Sequence, residues 1–185
     1  MDGTLTRAVH DFDAIRCSLG LPAGLPILES LSALPEAEAS LKWQQLEEIE
    51  LELSKTATAS DGAAQLLELL SQRGVRLGIV TRNSFENVVV SLRAAGLNQY
   101  FPHDCVSTRD NAKPKPDPDG LQRLIELFGH RPEEVAMVGD YLFDLECGRR
   151  AGACTVHYAA DDSRAWPDVT DLRIRSFAEL MPYLQ

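Results

Sequence analysis

Beyond Asp61 the chain switches repeatedly between two hydrophobic rhythms. Ala64, Leu66, Leu67, Leu69 and Leu70 lie on a helical stripe running to Arg73, with Gly74 where a helix must stop. Residues 75–80 form a short apolar run of the kind a buried strand needs. Ser84 can cap a helix through Val88, Val89 and Leu92 to Gly96, and a short strand is expected at 105–107. Residues 113–118 must be a non-helical loop, because each proline restricts both itself and its predecessor. Residues 121–128 read as a helix ending at Gly129, and Pro132, Glu133 and Glu134 as one opening helical turn. A strand at 135–138, a helix at 142–151 and a strand at 153–158 follow, and Ser176 with Glu179 makes a capping box for the last helix. Strand–helix units of this length imply an α/β fold, a doubly wound parallel sheet covered by helices on both faces.

Residues 9–60 break that rhythm. They hold no strand-like run, and their best feature is 36–53, with Leu41, Leu46, Ile49 and Leu53 at near-helical spacing. A structureless loop of roughly 50 residues would be very unusual within a domain. A small helical insert is expected there, with residues 1–8 and 61–185 forming the core.

The 185 residues suit one domain plus a small insert. Lys+Arg 18 against Asp+Glu 28 gives a net charge of −10, which argues against a nucleic-acid or membrane-surface binder, since both need a basic face. An anionic substrate remains compatible, because a metal ion and one or two cations can reverse the sign inside a pocket. Cys17, Cys105, Cys147 and Cys154 show no metal-site spacing and are expected to be reduced, mostly buried thiols. Neither a basic-then-apolar leader nor an apolar run of ~20 residues is visible, so a cytoplasmic protein is expected.

Four segments carry candidate chemistry, each at the C-terminal end of an apolar run or where one should be, the sheet edge at which open parallel sheets bind ligands. Asp2-Gly3-Thr4-Leu5-Thr6 is by itself an ordinary turn. Gly78-Ile79-Val80-Thr81-Arg82-Asn83 ends a strand in a hydroxyl just before a helix start, a workable phosphate cradle. Lys113-Pro114-Lys115-Pro116-Asp117-Pro118 holds lysines on a stiff loop, limiting the entropy lost in aiming an ammonium at an anion. Gly139-Asp140-Tyr141-Leu142-Phe143-Asp144 places two carboxylates one helical turn apart, which suits a hard divalent cation.

In this order the four segments resemble the motif set of the haloacid dehalogenase superfamily, in particular its phosphoglycolate-phosphatase-like branch. The resemblance runs from Met1 to about Tyr158 and implies a Rossmann-like core with the insert as a cap. It implies a magnesium-dependent phosphatase acting on a small phosphorylated metabolite through an aspartyl-phosphate. Asp2 would be the general acid/base and lend its backbone carbonyl to magnesium; Thr81 would hydrogen-bond the phosphoryl group; Lys115, with Lys113 as competitor, would neutralise charge. Asp140 would bind the metal directly and Asp144 directly or through water. Thr4, Arg82 and Asn83 are the candidate substrate contacts.

The family pattern also needs an aspartate two positions before Asp2. The position between is Met1, so that nucleophile and the strand carrying it lie outside the 185 residues. Residues 1–185 alone are therefore expected to fold marginally and not to turn over, and Met1 to be an internal methionine of the natural protein. Two other readings stand beside the phosphatase: a sugar-phosphate mutase, and a non-catalytic phosphate- or partner-binding domain. Monomer and homodimer are both open. His10, His103, His130 and His157 fall in no motif and read as structural or surface residues, and Trp43 as packing or cap lining.

Overall fold

A computed structural model describes residues 1–8, 11–161 and 164–184. His10 lies outside the described residues. Three helices come first: α1 (Phe12–Ser18), α2 (Ile27–Ser32) and α3 (Glu36–Ser54). Asp11 caps α1 by accepting from the backbone N–H groups of Asp13 and Ala14, while Pro26 and Pro35 stand at the starts of α2 and α3. These helices bury their own apolar cluster, centred on Leu19, Leu31 and Leu46. Ile49 and Leu53 pack against it, but Leu41 is 60% exposed, so the expected stripe on α3 holds for only part of its length.

The remainder alternates as expected: α4 (Ala63–Gln72), β1 (Ile79–Val80), α5 (Phe85–Ala94), β2 (Val106–Ser107), α6 (Asp119–Phe128), β3 (Ala136–Gly139), α7 (Leu142–Ala151), β4 (Cys154–Tyr158) and β5 (Leu172–Ile174). Ser84 caps α5 by accepting from the Asn87 N–H, and Gly129 ends α6 in a left-handed conformation. Residues 132–134 form a 3-10 turn, and Glu179 accepts from the Ser176 N–H at the start of the closing 3-10 stretch Phe177–Leu184. The strand expected at 75–80 shrinks to Ile79–Val80, because Val75 is exposed and only the last two residues are buried. Strand β5 was not expected: it is three residues long, with Arg173 between its apolar positions.

All strand pairs are parallel. They fall into two pieces, β1–β2 and β3–β4–β5. Residues 1–6 join them. Met1 packs with Ile79, Val88 and Val106 on the β1 side, while Thr4 reaches Asp140 beyond β3. The Met1 carbonyl accepts from the N–H groups of Thr4 and Thr6, and Thr6 bridges to Ala59. Helices α6 and α7 pack one apolar cluster with Val80 and Met137; α4 and α5 contribute to others with Ile79 and Val156. Among the described residues, no helix is long and apolar enough to cross a membrane.

Of the four cysteines, all with free thiols, Cys105 and Cys147 are buried as expected, but Cys17 and Cys154 are exposed, one on the short helix α1 and one at the first position of β4.

Candidate active site

The ends of β1 and β3, the loop at 113–118 and the first residues of the chain meet at one sheet edge. Two glycines permit that approach. A Cβ on Gly3, whose φ is +77°, would collide with the Asp140 carboxylate, and one on Gly139 would collide with Asp144.

Lys115 is buried, and its ammonium donates to the equally buried Asp144 carboxylate. Lys113 is exposed, and its backbone N–H is tied to Asp119. The loop is pinned around Lys115: Arg150 donates to the Pro116 carbonyl at 3.1 Å, Cys147 to the Asp117 carbonyl at 3.4 Å, and Arg82 to the carbonyl of Lys115 itself. Asp144 also accepts from the Tyr141 N–H at 3.1 Å. Burial by itself would raise the Asp144 carboxyl, but the Lys115 ammonium, the Met1 amino group and the Tyr141 N–H together hold Asp144 below the usual carboxylate range. Asp140 accepts from the Thr4 hydroxyl at 2.7 Å, and burial followed by the Asp144 charge pushes its carboxyl upward.

Thr81 is buried at the end of β1, its N–H on the Ser107 carbonyl at 2.9 Å and its hydroxyl accepting from the Asn83 N–H at 3.2 Å. The Asn83 amide donates to Asp2 at 2.7 Å, and the Thr6 hydroxyl donates to the other Asp2 oxygen at 3.1 Å. Thus Asp2, Thr4, Thr81, Asn83, Lys115, Asp140 and Asp144 come together on one edge. The side chains of Asp2, Asp140 and Asp144 do not converge on a single point, and among the described residues no three metal-ligating side chains do. Asp2 faces Asn83 and Thr6, Asp140 faces Thr4, and Asp144 faces Lys115.

Arg82 reaches the insert: it pairs with Glu29 of α2 at 2.5 Å and lies over the Phe143 ring. Three residues that the motif pattern did not single out stand beside it. Arg109, just past β2, donates to Glu50 of α3 at 2.8 Å, and Asn87 of α5 donates to the same carboxylate oxygen at 3.1 Å. The signal for Arg109 was its place at the C-terminal end of an apolar run, the logic that marked the four motifs. Burial raises the Glu50 carboxyl despite the Arg109 guanidinium beside it. Trp43 lies under that guanidinium, 5.5 Å from it.

Of the histidines, His157 is buried against Trp166, and burial lowers its pKa. His103 and His130 are exposed, His103 edge-on to Phe85.

A family model for haloacid dehalogenase-like hydrolases matches residues 20–158. An uncharacterized hydrolase of Saccharomyces cerevisiae is 28% identical over 192 residues, spanning 100% of this chain and 88% of that protein. Pyrophosphatase PpaX of Bacillus mycoides is 38% identical over 93 residues, covering 50% of this chain and 42% of the enzyme, so the chain spans less than half of that relative. Among solved structures, a hydrolase from Pseudomonas syringae superposes with a TM-score of 0.78 at 21% identity, over 99% of this chain and 94% of that one.

Proposed function

The chain belongs to the haloacid dehalogenase-like hydrolase family, and from that premise we propose that it is a magnesium-dependent phosphatase of a small phosphorylated metabolite. The observation that carries this reading is the buried Lys115–Asp144 pair beside Asp140, at the sheet edge where Thr81 and Asp2 also stand. A buried ammonium costs several kcal/mol of desolvation, and such a group at a ligand-binding edge is suited to meeting a dianion.

This reading calls for an attacking carboxylate two positions ahead of Asp2. The groups present supply the rest. The Thr81 hydroxyl donates to a phosphoryl oxygen, and Lys115 neutralises charge on the phosphoryl group as it moves. Asp2 protonates the leaving oxygen and then takes a proton from the attacking water, with Asn83 fixing its carboxylate. Thr4 holds Asp140 in orientation, and Arg82 contacts the substrate from the insert side.

The donor chemistry fits a hard divalent cation: buried Asp144, paired with Lys115, and half-buried Asp140, on the Thr4 hydroxyl, are two carboxylates against one ammonium, which leaves negative charge for a metal to balance. Asp140, the Asp2 backbone carbonyl and Asp144, directly or through water, would hold it. When bound, it would offset charge on the phosphoryl oxygens. The helical insert would act as the cap that shields the site and selects the leaving group. The protein is proposed to be cytoplasmic.

The test is magnesium-dependent phosphate release from an aryl phosphate by the protein expressed with and without the codons in frame ahead of Met1. Release by the extended form, abolished by Asp140→Asn, is expected. A folded extended form that binds phosphate without releasing it from the ester favours a binding domain instead. Release only with an added sugar bisphosphate favours a mutase.

A further inference from the structure

Burying Arg109 and Glu50 together is a poor way to gain stability. Their side chains are 7% and 10% exposed, and a buried pair of this kind at best offsets its own desolvation. The Arg109 Nη2 is buried with no hydrogen-bond partner, which adds to the cost. What the arrangement provides is position. The Arg109 N–H donates to the Asn83 carbonyl at 3.2 Å, and its Nη1 reaches the Arg82 carbonyl at 3.4 Å as well as Glu50. Those two carbonyls belong to the turn that follows Thr81 and aims the Asn83 amide at Asp2. Glu50 lies on α3 of the insert and is also held by Asn87 of α5.

We propose that Arg109 is a positioning residue that ties the turn at 81–83 to the helical insert through Glu50. The turn is held from behind by the Arg109 backbone N–H on the Asn83 carbonyl and by the Arg109 guanidinium on the Arg82 carbonyl, and that guanidinium is held by the insert. Docking of α3 and the orientation of Thr81 and Asn83 are therefore linked. This rests on the reading of the edge as a phosphate site.

The experiment measures inorganic phosphate affinity of the whole chain by calorimetry with magnesium present, alongside the thermal unfolding midpoint. Arg109→Met is expected to weaken phosphate about tenfold, and Glu50→Gln, which keeps the shape and can still hydrogen-bond, about threefold. Arg109→Lys should recover most of the affinity. Leu46→Ala, in the insert's own core, should lower the midpoint without weakening phosphate. Wild-type affinity in Arg109→Met, or affinity falling in step with the midpoint in Leu46→Ala, overturns the positioning role. Absence of phosphate binding by the wild-type chain overturns the phosphate site itself, and this inference with it.

Discussion

Two buried ion pairs, one inside the candidate site and one at the seam between insert and core, titrate in opposite directions. In the Lys115–Asp144 pair the ammonium, joined by the Met1 amino group and a backbone N–H, outweighs burial and Asp144 is held low; in the Arg109–Glu50 pair burial outweighs the guanidinium and Glu50 is held high. Asp144 also receives the Tyr141 N–H, whereas the nearby charges of Asp2 and Glu47 push Glu50 further up. Equal burial thus yields a firmly charged carboxylate in one place and a reluctantly charged one in the other. The first suits a site that must remain ionised; the second suits a joint that has to be held but not permanently fixed.

The largest effect should come from breaking the first pair. Lys115→Met leaves Asp144 buried and charged beside Asp140, and about 3–5 kcal/mol of unfolding free energy should be lost in urea titrations. Arg109→Met should cost less, about 1–3 kcal/mol, because Glu50, already raised, can neutralise itself by taking up a proton. That loss should shrink as pH falls.

Glu50→Gln sharpens the contrast. A carboxyl whose folded pKa is raised makes the folded state hold more protons than the unfolded chain, so stability falls as pH rises from the ordinary carboxylate value through the folded one. Removing it leaves the Arg109 guanidinium buried and charged beside a neutral amide, so stability at pH 7 should fall by about 1–3 kcal/mol, while the variant gains on wild type as pH rises through that window. Asp144 works the other way: its contribution is present above the ordinary carboxylate pKa and is lost as pH falls through its lowered one. A Glu50→Gln profile parallel to wild type would remove the contrast.

The smallest effect concerns thiols. Burial pushes Cys147, under the Lys115 loop, up to about 11, so iodoacetamide at neutral pH should spare it while labelling exposed Cys17 first, as read by mass spectrometry. Labelling of Cys147 in the folded chain would mean that the loop opens.

Much of this was legible in the sequence, for identifiable reasons. Ser84 and Gly129 announce helix ends through local hydrogen bonding and backbone freedom, which need no tertiary partner. Lys115 stood out because prolines flank it. That Lys115 is buried while Lys113 is exposed, by contrast, depends on tertiary packing that the Pro-rich run does not display. Strand β5 carried too few apolar residues to display a period. Glu50 was hidden because Glu47, Glu48 and Glu52 surround it, and an acidic run on a helix reads as a solvated face. Only the tertiary approach of Arg109 and Asn87 separates it from its neighbours.

The central claim is that the edge around Lys115 receives a phosphate group. Titrating inorganic phosphate into wild type and Lys115→Met, with folding of both checked by circular dichroism, tests it most directly. The account predicts saturable binding that the substitution abolishes. Equal binding by a folded Lys115→Met would place the phosphate elsewhere and contradict it.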